Sequence, residues 1–346
     1  MNLRTGLVVL SFVLSVLIGL TLGARDRPGA GTGSEVRQRP RIGLSLGTLQ
    51  EERWQRDRER FVARAEQLGA EVLVQSGNSE TARQIQDIES LLSRGVDVLV
   101  VVAHDPTAMG RAVEGAHNTG VPVVCYDRLI TGCDVDLYLS FDNVRVGTLQ
   151  AEYLVRKLKG RGSIVRVHGP KTDQTGLLFK QGQDEVLSPL IARGDIVVVH
   201  EDYAAGWKPS EAKRIVNAAI TANGSSFDAV LATNDGTAGG AIQALTEEGL
   251  AGKVIVTGQD ADLAACQRIL RGTQAMSVYK PLARLADRAA EVAVALAMRR
   301  PVIAHEGVFN GVRDIPSILE AVVAVDRENL ESTVLRDGFH RREDLK

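Results

Sequence analysis

Two tryptophans stand in sequence settings that suit a small polar ligand. Trp54 directly follows Arg53, and Trp207 follows a glycine in the run Ala-Gly-Trp-Lys-Pro. An aromatic ring presents an apolar face, and a guanidinium donates hydrogen bonds in a fixed fork. A ring beside an arginine can therefore cover the C–H face of a sugar while the guanidinium donates to its hydroxyls. For either tryptophan alone, packing at the edge of a core is the simpler interpretation.

Polar side chains follow the apolar runs that we expect to be strands. They are Asp127, Arg128, Asp173, Asn234, Asp260 and Lys280. A hydrogen bond with one charged partner contributes about 1.5–3 kcal/mol, against roughly 1 kcal/mol for a neutral pair. A carboxylate beside a guanidinium, as in Asp127 and Arg128, is therefore well suited to neighbouring hydroxyl groups. Aspartates at strand ends also cap helices, and we expect a capping or structural role for Asp235 and Asp262.

Short apolar runs alternate with amphipathic stretches from residue 41 onward. The predicted strands are 42–46, 71–75, 96–102, 121–126, 163–168, 196–200, 229–233, 254–257 and 275–278. The predicted helices are 52–68, 82–93, 106–118, 144–159, 208–221, 237–248 and 282–298. The apolar runs are continuous rather than alternating, which is typical of strands buried on both faces. Such strands form parallel sheets covered by helices, so the predicted fold class is α/β.

A weak internal repeat indicates two similar units. Residues 97–110 resemble residues 228–240, and each segment is followed by a helix, a glycine, a strand and an aspartate. We therefore predict two similar doubly wound lobes, each with a parallel sheet, joined by a hinge. Ligands of such sheets bind beyond the carboxyl ends of the strands. Two lobes that face each other would place these ends on either side of one cleft.

The polypeptide is predicted to cross between the two lobes three times. The crossovers are expected near residues 140–143, 279–281 and 309–312. The resulting lobes are residues 41–140 with 281–310, and residues 141–280 with 311–346. Motion at the crossovers would open and close the cleft.

The N-terminal segment predicts export from the cytoplasm. Arg4 precedes an almost wholly apolar run over residues 7–22, so residues 1–24 are expected to be a cleaved signal peptide or a retained membrane anchor. No cysteine follows this run, which argues against a lipoprotein. Residues 25–40 are rich in Gly, Arg and Pro and predict a flexible linker. With either outcome, the positive charge before the run places the lobes outside the cytoplasmic membrane.

Composition argues against several other classes of protein. The 346 residues are 44% hydrophobic and carry a formal net charge of -2, without the basic patch that nucleic-acid binding requires. Cys125, Cys133 and Cys266 form no Cys-x-x-Cys pair, so neither a metal site nor a disulfide framework is indicated. A Cys125–Cys133 bridge in an oxidising compartment and buried free thiols are both open alternatives.

No arrangement of catalytic residues is recognisable. The Gly-x-Ser-x-Gly motif at 43–47 lies within the first predicted strand, whereas a nucleophile elbow needs a strand, a sharp turn at the serine and then a helix. The histidines show no i, i+4 pairing that would suit a metal. We therefore predict no enzymatic activity, no metal and no cofactor.

At these residues the chain resembles the D-xylose-binding periplasmic proteins, the receptors of ABC-type sugar importers, which have the type I periplasmic binding protein fold. The resemblance runs from residue 41 to the C-terminus. Its most specific stretches include Glu-Arg-Trp-Gln at 52–55, Tyr-Asp-Arg at 126–128, Ser-Phe-Asp-Asn at 140–143, Asn-Asp at 234–235, Gly-Gln-Asp-Ala-Asp-Leu at 258–263 and Val-Tyr-Lys-Pro at 278–281.

The resemblance implies a pentose receptor, most simply for D-xylose, with no bond-making step. The residues it implies as sugar ligands are Arg53, Trp54, Asp127, Arg128, Asp173, Trp207, Asn234, Asp260 and Lys280. One position departs from the family pattern, because Thr175 stands where the family tends to have asparagine. The sequence therefore does not separate xylose from a related pentose.

The resemblance also implies a partner. The closed, sugar-bound form would dock as a monomer on the permease of an ABC-type importer. A membrane-tethered sensor that signals to a chemoreceptor or histidine kinase would share every cleft residue, and it stays open as an alternative. A transcriptional repressor with the same effector fold would need an N-terminal helix-turn-helix, where this chain has an apolar run.

Overall fold

The computed structural model describes residues 39–50, 52–171, 173–224 and 226–345. The chain divides after residue 39 into two units, of which the second, residues 40–346, is compact. The predicted signal or anchor, and all of the predicted linker before residue 39, lie outside the described residues. Within the described ranges, no helix combines the length and the apolarity that a membrane span needs.

Strands and helices alternate through most of the second unit. The strands are β1 (Arg41–Leu46), β2 (Glu71–Ser76), β3 (Val98–Val102), β4 (Val123–Tyr126), β5 (Leu137–Phe141), β6 (Gly162–His168), β7 (Ile196–Tyr203), β8 (Ala229–Ala232), β9 (Ile255–Val256), β10 (Ser277–Tyr279), β11 (Glu306–Phe309), β12 (Asp314–Glu320) and β13 (Val323–Val325). The α-helices are α1 (Glu52–Gln67), α2 (Thr81–Ser93), α3 (Gly110–Asn118), α4 (Asn143–Lys157), α5 (Gln174–Ala192), α6 (Pro209–Asn223), α7 (Asp235–Glu247), α8 (Leu263–Arg271) and α9 (Leu282–Ala297). Each predicted strand and helix overlaps one of these elements, but β5, β11, β12, β13, α5 and α8 were not predicted.

Two parallel sheets organise this unit. The larger sheet has the order β11-β12-β5-β4-β3-β1-β2, and its neighbours are parallel except for the β11–β12 hairpin. The smaller sheet has the order β7-β6-β8-β9 and is parallel throughout. Every residue of β3 is buried, as expected for a central strand with helices on both faces. The predicted α/β class with parallel sheets is confirmed.

Helix α5 shows why part of the prediction failed. It contains Gly176, Gly182 and Pro189, and glycine and proline oppose helix formation in the absence of tertiary contacts. In the folded protein α5 packs closely along α4, and this packing outweighs the unfavourable propensity. Local sequence preference therefore did not reveal a helix that tertiary contacts stabilise.

The third crossover also differs from the prediction. Strand β12 is parallel to β5, so residues 314–320 belong to the larger sheet. The next strand, β13, pairs instead with β10. The chain therefore leaves the larger sheet between Glu320 and Val323, and the crossover predicted at 309–312, with its lobe boundary after residue 310, is wrong. Gly311, with a φ of 96°, lies in the turn of the β11–β12 hairpin. The prediction failed because a glycine between two short apolar runs is compatible with either a hairpin turn or a linker.

Two glycines set the distance between α4 and α5. A Cβ on Gly147 would lie 1.8 Å from the carbonyl oxygen of Phe179, and a Cβ on Gly182 would lie 1.9 Å from the carbonyl oxygen of Val144. We expect Gly147→Ala to lower the free energy of unfolding by about 3 kcal/mol, because the added methyl group forces the two helices apart. Urea unfolding followed by circular dichroism measures this loss.

Gly115→Ala in α3 is the matched control for that experiment. A Cβ on Gly115 meets no atom within 4 Å. The better helix propensity of alanine should leave stability unchanged or raise it by up to about 1 kcal/mol. Equal destabilisation of the two variants would show that the close approach of α4 to α5 is not the cause.

Candidate ligand-binding cleft

A cleft of about 720 Å³ lies where strands of both sheets end. All nine residues of the predicted site line this cleft. Arg53 and Trp54 come from the start of α1, and the other seven follow strands or lie in turns. The carboxyl ends of parallel strands share one edge of a sheet, which is why residues distant in sequence meet here. Their contact with a ligand stays a prediction.

Asp127 forms its ion pair with Arg53. Nη2 of Arg53 donates to Oδ1 of Asp127, whereas Nη1 of Arg128 donates to the carbonyl oxygen of Ala103 at 3.2 Å. Asp127 therefore pairs with a residue that is distant in sequence and not with its neighbour Arg128. Burial acts to raise the pKa of Asp127, but attraction to Arg53 and Lys280 outweighs it, and the pKa lies below its ordinary value. The carboxylate is therefore charged at neutral pH.

Trp54 lies beneath two arginines and does not present an open face. The guanidinium carbon of Arg53 is 4.4 Å from the centroid of the indole ring, and that of Arg128 is 5.5 Å away. Both distances are within the range of cation–π attraction. The side chain of Trp54 is only 2% exposed. Trp54 therefore supports the two arginines, and its stacking against a sugar stays a prediction.

Trp207 is the more accessible ring, and it is held in place from two sides. Its Nε1 donates to Oδ2 of Asp173 at 2.9 Å. The other oxygen of Asp173 accepts from the backbone N–H groups of Thr175 and Gly176 at the start of α5. A Cβ on Gly169 would lie 2.1 Å from the indole ring. The ring thus rests against glycine backbone while its remaining surface lines the cleft.

Lys280 and Asp260 form a second charged pair in the cleft. Nζ of Lys280 lies 3.0 Å from Oδ1 of Asp260. Asp260 adopts a φ of 103°, in a turn that is stabilised by hydrogen bonds to Asp235. The carboxylate of Asp235 accepts from the hydroxyl of Ser277 at 2.8 Å and from the backbone N–H of Asp262 at 2.9 Å. Asp235 is therefore structural, as predicted.

Asn234 caps the helix that begins beside it. Its Oδ1 accepts from the backbone N–H of Thr237 at 2.9 Å, as part of a capping box. This cap uses the side-chain oxygen and leaves the side-chain NH₂ as the group that could donate to a ligand. Asp262 precedes α8 but makes no side-chain capping bond, so a capping role for Asp262 is wrong. Burial and the charge of Asp260 raise the pKa of Asp262 to about 6.

Some lining residues were not assigned to the site from the sequence. They are Tyr138, Asn143, Phe179, Gln259 and Phe309. The ring of Phe179 meets that of Trp207 edge-on, with 6.4 Å between centroids. Its helix, α5, was not predicted, and Asn143 lies in a segment that we interpreted as a crossover. The available signal was the spacing of Thr175 and Phe179, which places both on one helix face after Asp173.

The described part of the chain contains no group of three or more His, Cys, Asp or Glu side chains placed to hold a metal ion. Cys125 is a buried free thiol and Cys133 is a partly buried one. Burial raises the pKa of Cys125 to about 12, so its thiol is neutral and unreactive at physiological pH.

Comparison with known proteins agrees with this architecture. Residues 42–300 match the model of the periplasmic binding protein domain. The chain is 46% identical to the D-xylose-binding periplasmic protein of Haemophilus influenzae and 45% identical to that of Escherichia coli, in each case over 88% of this chain and 92% of the relative.

Solved structures show the same similarity. A carbohydrate transporter solute-binding protein from Chloroflexus aurantiacus in complex with D-glucose has a TM-score of 0.78 and 33% identity, covering 88% of this chain and 97% of that one. An ABC transporter solute-binding protein from Clostridium phytofermentans with bound β-D-glucose has a TM-score of 0.76 and 31% identity, covering 88% and 100%. With a matching family model over most of its length and relatives of this similarity, the chain belongs to the periplasmic binding protein domain family.

Proposed function

We propose that this protein is an extracytoplasmic receptor that binds a pentose, D-xylose, and delivers it to the permease of an ABC-type importer. The observation that supports it most is the convergence of two ion pairs and a partly buried tryptophan on one cleft. The pairs are Arg53 with Asp127 and Lys280 with Asp260. The third element is Trp207.

The charge arrangement favours a neutral ligand with several hydroxyl groups. Arg53 and Lys280 each already have a carboxylate partner, so neither cation needs an anionic ligand to balance it. The carboxylates keep lone pairs beyond those used in the ion pairs, and the cations keep further N–H donors. Each hydroxyl bonded to one of these groups contributes about 1.5–3 kcal/mol. A monosaccharide presents hydroxyls on its rim and an apolar face that Trp207 can cover.

The names of two relatives favour D-xylose, and other observations indicate which sugars compete with it. Two relatives that match nearly the whole chain carry the name D-xylose-binding periplasmic protein. The two structural relatives, at lower identity, hold glucose, so a hexose is the main competitor. Thr175 lines the cleft at the position that departs from the family pattern, and it is the residue through which a preference for another sugar would arise.

The sugar should stabilise the folded protein without any metal or cofactor. We expect D-xylose at 100 times its dissociation constant to add about 2.7 kcal/mol to the free energy of unfolding. Thermal unfolding of residues from 34 onward in EDTA, with xylose, arabinose, ribose, glucose and galactose in parallel, measures this. A larger shift with glucose than with xylose would reassign the ligand, and no shift with any of the five sugars would overturn the receptor assignment.

Delivery to a permease requires that sugar binding change the shape of the receptor. We propose that the two sheets belong to two lobes which close over the sugar by a hinge motion, and that the closed monomer docks on the permease. The location of the receptor outside the cytoplasmic membrane is tested by fusing alkaline phosphatase after the last residue, because that enzyme is active only when exported.

A further inference from the structure

Asp57 is a buried carboxylate that lies directly behind the cleft. It is on α1, four residues after Arg53, so the two side chains share one helix face. It is only 2% exposed and is not among the residues that line the cleft. The hydroxyl of Tyr126 donates to Oδ2 of Asp57 at 2.8 Å. Tyr126 directly precedes Asp127, and Asp57 is on the same helix as Arg53. The Tyr126–Asp57 hydrogen bond therefore links the two segments that carry the Arg53–Asp127 ion pair.

The guanidinium of Arg53 therefore lies between two carboxylates. It donates to Asp127 from Nη2, and its Nε lies 3.9 Å from Oδ2 of Asp57. This Nε is buried and has no hydrogen-bond partner within the described residues. A buried donor that lacks a bond is costly, and the nearby carboxylate is the group whose charge offsets that cost. The orientation of Arg53 thus depends on Asp57 as well as on Asp127.

We propose that Asp57 is a positioning residue that makes sugar affinity depend on pH: when ionised it holds Arg53 in the orientation that binds sugar, and its protonation weakens binding. The inference rests on the proposed sugar-binding function. It concerns a residue that does not itself line the cleft, so a direct contact with sugar is not its role.

The charges around Asp57 place this transition near physiological pH. Burial is the largest influence and raises its pKa to about 6, with a smaller contribution from the charge of Asp127. Arg53, the hydroxyl of Tyr126 and Lys280 act in the opposite direction. Sugar affinity should therefore be full above about pH 7 and fall as the pH drops through about 6, by at most about tenfold per pH unit for one linked proton.

Protonation of Asp57 does not itself destabilise the folded protein. The folded pKa of Asp57 is raised from 3.8 to about 6, so the folded state holds its proton more tightly than the unfolded state does. For this group alone, stability is greatest below pH 3.8 and declines as the pH rises to about 6. As the pH falls, the contribution of Asp57 to the free energy of unfolding therefore rises, whereas the proposed sugar affinity falls. Separate measurements of stability and of affinity can distinguish the two effects.

The test measures the dissociation constant for D-xylose by calorimetry between pH 5 and pH 8, for the wild type, Asp57→Asn and Tyr126→Phe. We expect wild-type affinity to fall below about pH 6, and Asp57→Asn to be about tenfold weaker at pH 7.5 and nearly independent of pH. Tyr126→Phe removes a donor that favours the carboxylate, so its midpoint should move to higher pH. The control is Asp287→Asn on α9. Asp287 is partly exposed and pairs with the exposed Arg60, so this variant should keep the wild-type profile.

The possible results distinguish failure of the Asp57 inference from failure of the proposed sugar-binding function. An Asp57→Asn variant that keeps the wild-type pH profile would assign the profile to another carboxyl, such as Asp262, and would overturn the inference. If Asp57→Asn does not fold, an unshifted midpoint in Tyr126→Phe overturns it. A wild type that binds xylose equally at pH 5 and pH 8 overturns the inference alone, whereas a wild type that binds no monosaccharide overturns the proposed function itself.

Discussion

Replacing Asp127 should remove most of the sugar affinity while the protein stays folded. The carboxylate is lost as an acceptor for hydroxyls, and Arg53 loses its closest counter-ion in a partly buried setting. Truncating one member of a buried charged pair typically costs about 2–5 kcal/mol of binding free energy, so we expect Asp127→Ala to weaken binding by about 30-fold to about 5,000-fold. Calorimetric titration with D-xylose measures the loss, and circular dichroism verifies the fold.

Two further variants make this result specific. Asp127 adopts a φ of 64°, which asparagine tolerates better than alanine, so Asp127→Asn keeps the backbone and one acceptor and should lie between the wild type and Asp127→Ala. Asp134 also pairs with an arginine, Arg313, but it is 65% exposed. Asp134→Ala should leave the affinity unchanged. Wild-type affinity in Asp127→Ala would show that the Arg53–Asp127 pair serves only the fold.

Truncation of Trp207 should produce the second largest loss of affinity. The ring rests against Gly169, bonds to Asp173 and still lines the cleft, so Trp207→Ala removes both a stacking surface and the support of Asp173. A tryptophan at the centre of a binding site typically contributes about 2 kcal/mol or more, which predicts at least about 30-fold weaker binding. Trp207→Phe keeps an apolar face and should lose less.

The fluorescence of the protein provides an independent measurement of the same contact. The chain contains only two tryptophans, and Trp54 is shielded beneath Arg53 and Arg128. A ligand-induced fluorescence change in the wild type should therefore arise mainly from Trp207 and disappear in Trp207→Phe. Gly169→Ala, which pushes a methyl group into the indole ring, should weaken binding with both tryptophans still present. Full affinity in Trp207→Ala would place the ring outside the binding contact.

Residue pattern was sufficient to locate the cleft. Continuous apolar runs identified the buried parallel strands, such as β3 and β8, because only strands covered on both faces lack polar alternation. Polar residues at the ends of these runs, such as Asn234 and Asp260, then had to meet at one edge. All nine predicted residues do line the same cleft. The direction of the strands accounts for the polar residues that follow them, whereas the full set of nine was implied by the family resemblance.

Tertiary structure alone decided which side chains pair, which are covered and which segments complete the fold. Asp127 pairs with Arg53 and not with its neighbour Arg128, and Asp57 lies behind that pair. Helix α5 forms despite its glycines because it packs along α4, and β12 joins the larger sheet across the turn at Gly311. The physical reason is common to these cases. Ion pairs, burial and close helix contacts depend on distances between residues far apart in the chain, and local preferences of about 1 kcal/mol are too small to determine them.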